Sequence, residues 1–336
     1  MSDSITSDRK KDHIKLAFDS ISNNQDPRFY YEPLLQPHPS DTNDYSGINI
    51  GGKMTKSPLW VSSMTGGTEM AGHINQNLAR ACKEFGLGMG LGSCRIILDD
   101  DTYFKDFDLR NTIGDDLPFY ANLGIAQVEK LLLDKKEAQI IELVKKLRAD
   151  GLIVHVNPLQ EFLQPEGDRF TYSPLETIEC LLEKVNFPVI VKEVGQGMGP
   201  ASLIALMKLP LAAIDFGASG GTNFAKLELL RTEKEKAEIN DGLSNVGHTA
   251  YEMTEFVNAI LEKPANFKCK TFIVSGGLKS YLDGYYHTER INAPAIYAMA
   301  SSFLKHSMGD YAQLQEFTQQ QLQGFSLATN LLKIRK

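Results

Sequence analysis

Apolar residues gather along this chain in short runs rich in β-branched side chains, and between them lie stretches in which polar and apolar positions alternate with helical spacing. The runs fall at 59–64, 87–90, 119–123, 152–156, 188–191, 212–216, 271–275 and 295–299. Leu152, Ile153, Val154 and Val156 lack the alternation of a half-solvated strand and read as a strand covered on both faces, as in a parallel sheet. Eight such strands alternating with helices predict a (β/α)8 barrel. A doubly wound open sheet is the alternative, and the absence of a GxGxxG turn after the first run weighs against it.

The segment 128–149 carries Leu131, Leu132, Ile140, Ile141, Val144 and Leu147 among many charges, which predicts one amphipathic helix. Another is expected near 251–261, and the glutamine run 319–321 falls in a C-terminal helix. The charged stretch 231–238, followed by the turn signal Asn240-Asp241-Gly242, leaves room for an inserted loop after the sixth strand, over the barrel mouth. Residues 1–45 precede the first barrel strand as an extension, with a short basic helix near 8–18 and prolines at Pro27, Pro33, Pro37 and Pro39. This divides the chain into an extension that folds over the mouth, 1–45, and a barrel, 46–336.

Composition narrows the function. The 336 residues are 42% hydrophobic, enough for a large core, yet no apolar run approaches the roughly 18 residues of a membrane span. The polar N-terminal stretch does not read as a secretory signal, and Cys82, Cys94, Cys180 and Cys269 show no CxxC spacing. A cytoplasmic protein with reduced thiols and no membrane association is expected. A net charge of −7 argues against a broad nucleic-acid surface, so an anionic ligand must be small and held by local cations.

The candidate chemistry sits where strands end. His155, Asn157, Gln160 and Glu161 crowd the end of the fourth run, where barrel enzymes keep their catalytic groups, although a lone strand-end histidine or asparagine is often only a structural hydrogen-bonder. Lys192 ends the fifth run beside Glu193. It is either half of a buried ion pair or a cation facing an anionic ligand. Glycine doublets at Gly66-Gly67, Gly220-Gly221 and Gly276-Gly277 serve tight turns or bring backbone N–H groups close to a phosphate. Thr222, Gly276, Gly277, Ala300 and Ser301 together fit a phosphate held by the last three loops. Arg9 and His13 lie four apart on one helical face beside Lys10; such a basic run is either a solvated surface or, if the extension folds over the mouth, part of a diphosphate site with Arg95 and His155.

These segments carry a family resemblance. RKKDHI at 9–14, SMTGG at 63–67, GSCR at 92–95, ANLG at 121–124, HVNPLQE at 155–161, VKEVGQGM at 191–198, GGTNFAKLE at 220–228 and SGG at 275–277 resemble the type 2 isopentenyl-diphosphate isomerases, which are flavoprotein barrels. Glycine doublets occur in many flavin barrels, whereas RKxxH together with HxNPLQE is specific. The resemblance runs from Arg9 to about Leu304.

It implies that Met64, Thr65, Gly66, Ser93, Asn122, Lys192, Thr222, Gly276, Gly277, Ala300 and Ser301 hold FMN. Arg9, Lys10, His13, Ser93, Arg95, His155, Asn157 and Gln160 would hold substrate, with Gln160, His155 and Lys192 as the catalytic group and Glu161 as the Mg²⁺ ligand. The implied reaction is the redox-neutral interconversion of isopentenyl and dimethylallyl diphosphate, with reduced FMN as acid and base, NADPH as priming reductant, and a homotetramer or homo-octamer as the assembly. An FMN-dependent oxidoreductase and a non-catalytic flavin or prenyl-diphosphate binder are the alternatives. Three positions depart from the family pattern: Cys94 where glutamine is usual, Gly217 where serine is common, and the segment 284–295 before the last strand.

Overall fold

The computed structural model describes residues 2–22, 24–39, 45, 47–64 and 66–335. Eight parallel strands close into a barrel. In chain order they are β1 Leu59–Val61, β2 Gly88–Gly90, β3 Phe119–Gly124, β4 Gly151–Val156, β5 Val189–Glu193, β6 Ala213–Asp215, β7 Phe272–Val274 and β8 Ala295–Met299. Each pairs with its chain neighbours, and β8 closes the ring on β1, with Tyr297 opposite Leu59. All eight expected runs are strands, and the order is that of a (β/α)8 barrel.

The period-2 alternation of each strand sorts its side chains between two cores. Trp60, Tyr120, Ile153, Ile190, Ala213, Ile273, Ile296 and Ala298 point inward and fill the barrel. Leu59, Val61, Leu152, Val154, Val189 and Val191 point outward into the larger core beneath the helices. The end of the barrel away from the site is plugged by a small antiparallel hairpin, Asn49–Ile50 with Lys53–Met54. Its Ile50 joins the inner core, and Tyr120 Oη donates to Ile50 O at 3.3 Å.

Three helical features differ from the sequence expectation. The segment 128–149 forms two helices, Ile125–Leu133 and Glu137–Lys146, because the chain turns at Lys135 with φ of 58°. The first of them starts directly after β3, earlier than its apolar periodicity suggested. The insertion after β6 is built rather than open: helices Phe224–Arg231 and Lys234–Asn240 and a 3-10 turn Asp241–Asn245 precede the helix Ala250–Leu261. The last of these begins with a capping box between Thr249 and Glu252, which satisfies orphan N–H groups at its start.

The extension contains a helix, Ser2–Leu16, and then a strand, Phe29–Tyr31, that pairs antiparallel with Leu332–Ile334. Arg28 anchors it with a 2.7 Å ion pair to Asp283. Residues 8–22 are all exposed. No helix among the described residues is long and apolar enough to cross a membrane.

Candidate active site

Five neighbouring strands deliver one polar side chain each from their C-terminal halves or the residue just beyond. Asn122 comes from β3, His155 from β4, Lys192 from β5, Asp215 from β6 and Ser275 from the residue after β7. Register places His155 opposite Lys192, and Lys192 opposite Asp215, so the apolar inner core gives way here to a continuous polar ring.

Asn122 is buried, and its Nδ2 donates to Leu91 O at 2.9 Å. That bond fixes the amide, leaving Oδ1 to face His155 Nδ1 at 2.9 Å. An amide oxygen only accepts, so Nδ1 carries the hydrogen and Nε2 keeps a lone pair. Burial, and secondarily the Lys192 cation, pull the imidazole down to about 4. His155 therefore enters the site uncharged at neutral pH, not as one of a set of cations.

Lys192 is buried, and its Nζ donates to Glu193 O at 2.7 Å. The Glu193 carboxylate turns away into its own loop, where Oε2 accepts from the N–H groups of Gly195, Gln196 and Gly197 at 2.7, 2.6 and 2.8 Å. The carboxylate that faces Lys192 is Asp215, whose Oδ2 lies 3.8 Å from Nζ. Burial raises the Asp215 carboxyl, while Lys192 and a hydrogen bond from Ser275 Oγ oppose the rise.

A second polar cluster adjoins the ring on the short helix Pro158–Leu163, which proline at its first position starts immediately after Asn157. Asn157 is buried, and its Nδ2 lies 3.2 Å from Gln160 Oε1 and 3.0 Å from Glu161 Oε1. Gln160 Nε2 donates to Glu228 Oε1 at 3.1 Å. Glu228, buried on the insertion, takes Arg231 at 2.7 Å, and Arg231 pairs with Glu166 at 2.7 Å, joining the insertion to the loop after β4. Glu161 Oε2 accepts from Asp168 N at 2.8 Å. Among the described residues no three histidine, cysteine, aspartate or glutamate side chains gather as a metal cluster. Glu161 thus offers a single carboxylate, with one lone pair on each oxygen beyond those already used.

A groove of 570 Å³ borders this region, with Gly66, Ser93, Arg95, Gln127, Lys130 and Asp168 in its wall. Asp168 takes Arg95 at 3.5 Å and Gln127 at 3.2 Å. Met64 is half-buried just beyond β1, and Thr65 lies outside the described residues. The glycine loops after β6 and β7 lie against each other: a Cβ on Gly221 would stand 3.2 Å from Gly277 N. Thr222 is exposed beside them, and Ala300 precedes the helix Ser301–Ser307 after β8. Arg9, Lys10 and His13 are not brought to this end of the barrel by any hydrogen bond or ion pair among the described residues; they stand exposed on Ser2–Leu16.

Sequence reasoning gave no role to Asp215, Ser275 or Glu228, although the last two lie in the motifs at 275–277 and 220–228. Asp215 carried a usable signal, since it ends an apolar strand just as Lys192 does. Cys94 is fully buried, with burial pushing its thiol up to about 12, and its Sγ reaches back to Gly92 O.

The architecture is that of a (β/α)8-barrel enzyme, with its polar groups gathered at the C-terminal ends of the strands. Solved structures with the same fold include a mandelate oxidase mutant with a monooxide FMN adduct, at 12% identity and TM-score 0.55, covering 92% of this chain and 87% of that one. A flavocytochrome b2 mutant with benzoylformate matches at 13% identity and TM-score 0.60, covering 91% and 75%. No family model matches the chain. Among curated proteins, the isopentenyl-diphosphate delta-isomerase of Rickettsia felis is 33% identical over 320 residues, spanning 93% of this chain and 88% of its own length. That of Pelodictyon phaeoclathratiforme is 32% identical over 292 residues, spanning 83% and 81%. The chain belongs to the isopentenyl-diphosphate delta-isomerase family and is an isomerase.

Proposed function

We propose that this protein interconverts isopentenyl and dimethylallyl diphosphate in isoprenoid biosynthesis by a redox-neutral allylic shift, with NADPH-primed FMN as acid–base cofactor and Mg²⁺ on the diphosphate. The observation that carries the reading is the ring centred on buried Lys192, next to the uncharged His155–Asn122 pair and the Asn157–Gln160–Glu161 cluster.

The residues present fit a flavin. Trp60 Nε1 and Ser63 Oγ are buried without partners, as donors awaiting a polar ligand would be. Gly276 has φ of 91°, and a Cβ there would strike Ala218 O at 2.0 Å, so glycine at this position is what lets the loops after β6 and β7 pack backbone to backbone beside the mouth. The fit to Mg²⁺ is narrower: Glu161 alone supports it, in keeping with an ion that usually takes one or two carboxylates and completes its shell with phosphate and water.

When bound, reduced flavin supplies an acidic N–H and an electron-rich face, which suits protonation of an unactivated alkene better than any side chain. The chain's own groups would do the rest. Lys192 would set positive charge in a site of low effective dielectric, and Asn122 would hold the His155 ring with its Nε2 lone pair free. Gln160, held at both ends of its amide by Asn157 and Glu228, would orient the reacting carbons. Ser93 and Arg95 would meet the diphosphate from the groove wall. Arg9, Lys10 and His13 would join them if the helix Ser2–Leu16 swings onto the mouth.

Anaerobic incubation with dithionite-reduced FMN, Mg²⁺ and isopentenyl diphosphate should yield dimethylallyl diphosphate while the flavin spectrum stays that of the reduced form. Flavin bound and reducible with no product, or oxidised flavin bleached in step with substrate, would overturn the isomerase reading.

A further inference from the structure

Asp215 closes β6 with a side chain only 1% exposed, and its Oδ2 has no hydrogen-bond donor. The other oxygen, Oδ1, accepts from Ser275 Oγ, and the same hydroxyl accepts from Gly217 N at 2.9 Å. A carboxylate oxygen only accepts, so the Ser275 hydroxyl directs its proton to Asp215 while taking Gly217 N on a lone pair, which orients the carboxylate and leaves Oδ2 facing Lys192 Nζ at 3.8 Å. A buried carboxylate short of donors is costly, and an apolar residue would pack there at less expense. The other titratable groups around the pair do not answer for it: His155 is uncharged, and Glu193 is taken by three backbone amides. The counter-charge of Lys192 is therefore Asp215.

We propose that Asp215, oriented by Ser275, is a positioning residue that fixes the Lys192 ammonium at the barrel mouth and sets the field it presents to the bound cofactor. This rests on the reading of Lys192 as a cofactor contact. Lysine has three N–H donors, of which one goes to Glu193 O. A carboxylate on one side of Nζ limits how the remaining two can turn.

The test is a cycle of wild type, Lys192→Met, Asp215→Asn and the double variant, measuring FMN affinity and turnover of isopentenyl diphosphate in each. Asp215→Asn is expected to weaken FMN binding and to slow turnover by about tenfold or more in the wild-type background, and by under about twofold when Lys192 is already Met. Ser275→Ala should shift both in the same direction by less, and it replaces Asp215→Asn in the cycle should that variant not fold. Equal effects in the two backgrounds, or wild-type behaviour of Asp215→Asn, would overturn the proposal. Urea denaturation of the same four proteins without cofactor separates this from the functional reading. Coupling between the two positions is expected there, and additivity rejects the pair. Wild-type protein that folds but neither binds FMN nor turns over would reject the functional reading instead, and the urea cycle alone would then decide the pair.

Discussion

At Gly217 the backbone turns with φ of 53°, and a Cβ there would lie 1.9 Å from Glu193 O. The family pattern commonly has serine at this position, yet in this chain the hydroxyl near it comes from Ser275, whose Oγ takes Gly217 N. Gly217→Ser should therefore destabilise the protein by about 1–3 kcal/mol through strain and clash, without tightening FMN binding. A urea midpoint at or above that of wild type, or tighter FMN binding, would contradict this. His155 and Lys192 were legible from sequence because each interrupts or ends an apolar run, and burial of a polar group there asks for a reason. The bond between Ser275 and Asp215 was not, since it joins residues 60 apart and depends on which strands neighbour each other.

The eight strands were legible as elements, with bounds within three residues and the last one matched at both ends, because a strand covered on both faces leaves a run that nothing else in the sequence imitates. Helices fared less well. The segment 128–149 shows helical spacing on both sides of Lys135, and periodicity does not report a single left-handed residue between two helices. The plugging hairpin escaped notice because its strands are two residues each. The helix Ser2–Leu16 raises a different question, since its basic residues matched a substrate-binding motif but are exposed. If it closes on the mouth with substrate, Arg9→Ala should lower kcat/KM by about 1.5–3 kcal/mol, the scale of a charge-assisted hydrogen bond, and leave FMN affinity unchanged. Unaltered kcat/KM would place the helix outside the catalytic cycle.

The molecule as a whole carries a pH signature from its buried histidines. His155 and His287 both sit near 4 against an ordinary value of 6.5, in each case chiefly through burial. The unfolded chain binds these protons first as pH falls, so the stability they confer is complete above about 6.5 and is lost toward 4. The raised carboxyls of Asp215 and Glu193 act in the opposite sense, which makes a difference measurement the clean one. Between about pH 7 and 5 the urea midpoint of His287→Gln should fall less than that of wild type; equal slopes would show that His287 does not contribute.

The antiparallel pair of Phe29–Tyr31 with Leu332–Ile334 also bears on how the chain is made. Its second strand is synthesised after all eight barrel strands, so during translation Phe29–Tyr31 lacks its strand partner, while Arg28 and Phe29 have Asp283 and the rings of Tyr285 and Tyr286 to meet. A nascent barrel can close before this strand pair forms, and the pairing that joins the two segments is added afterwards.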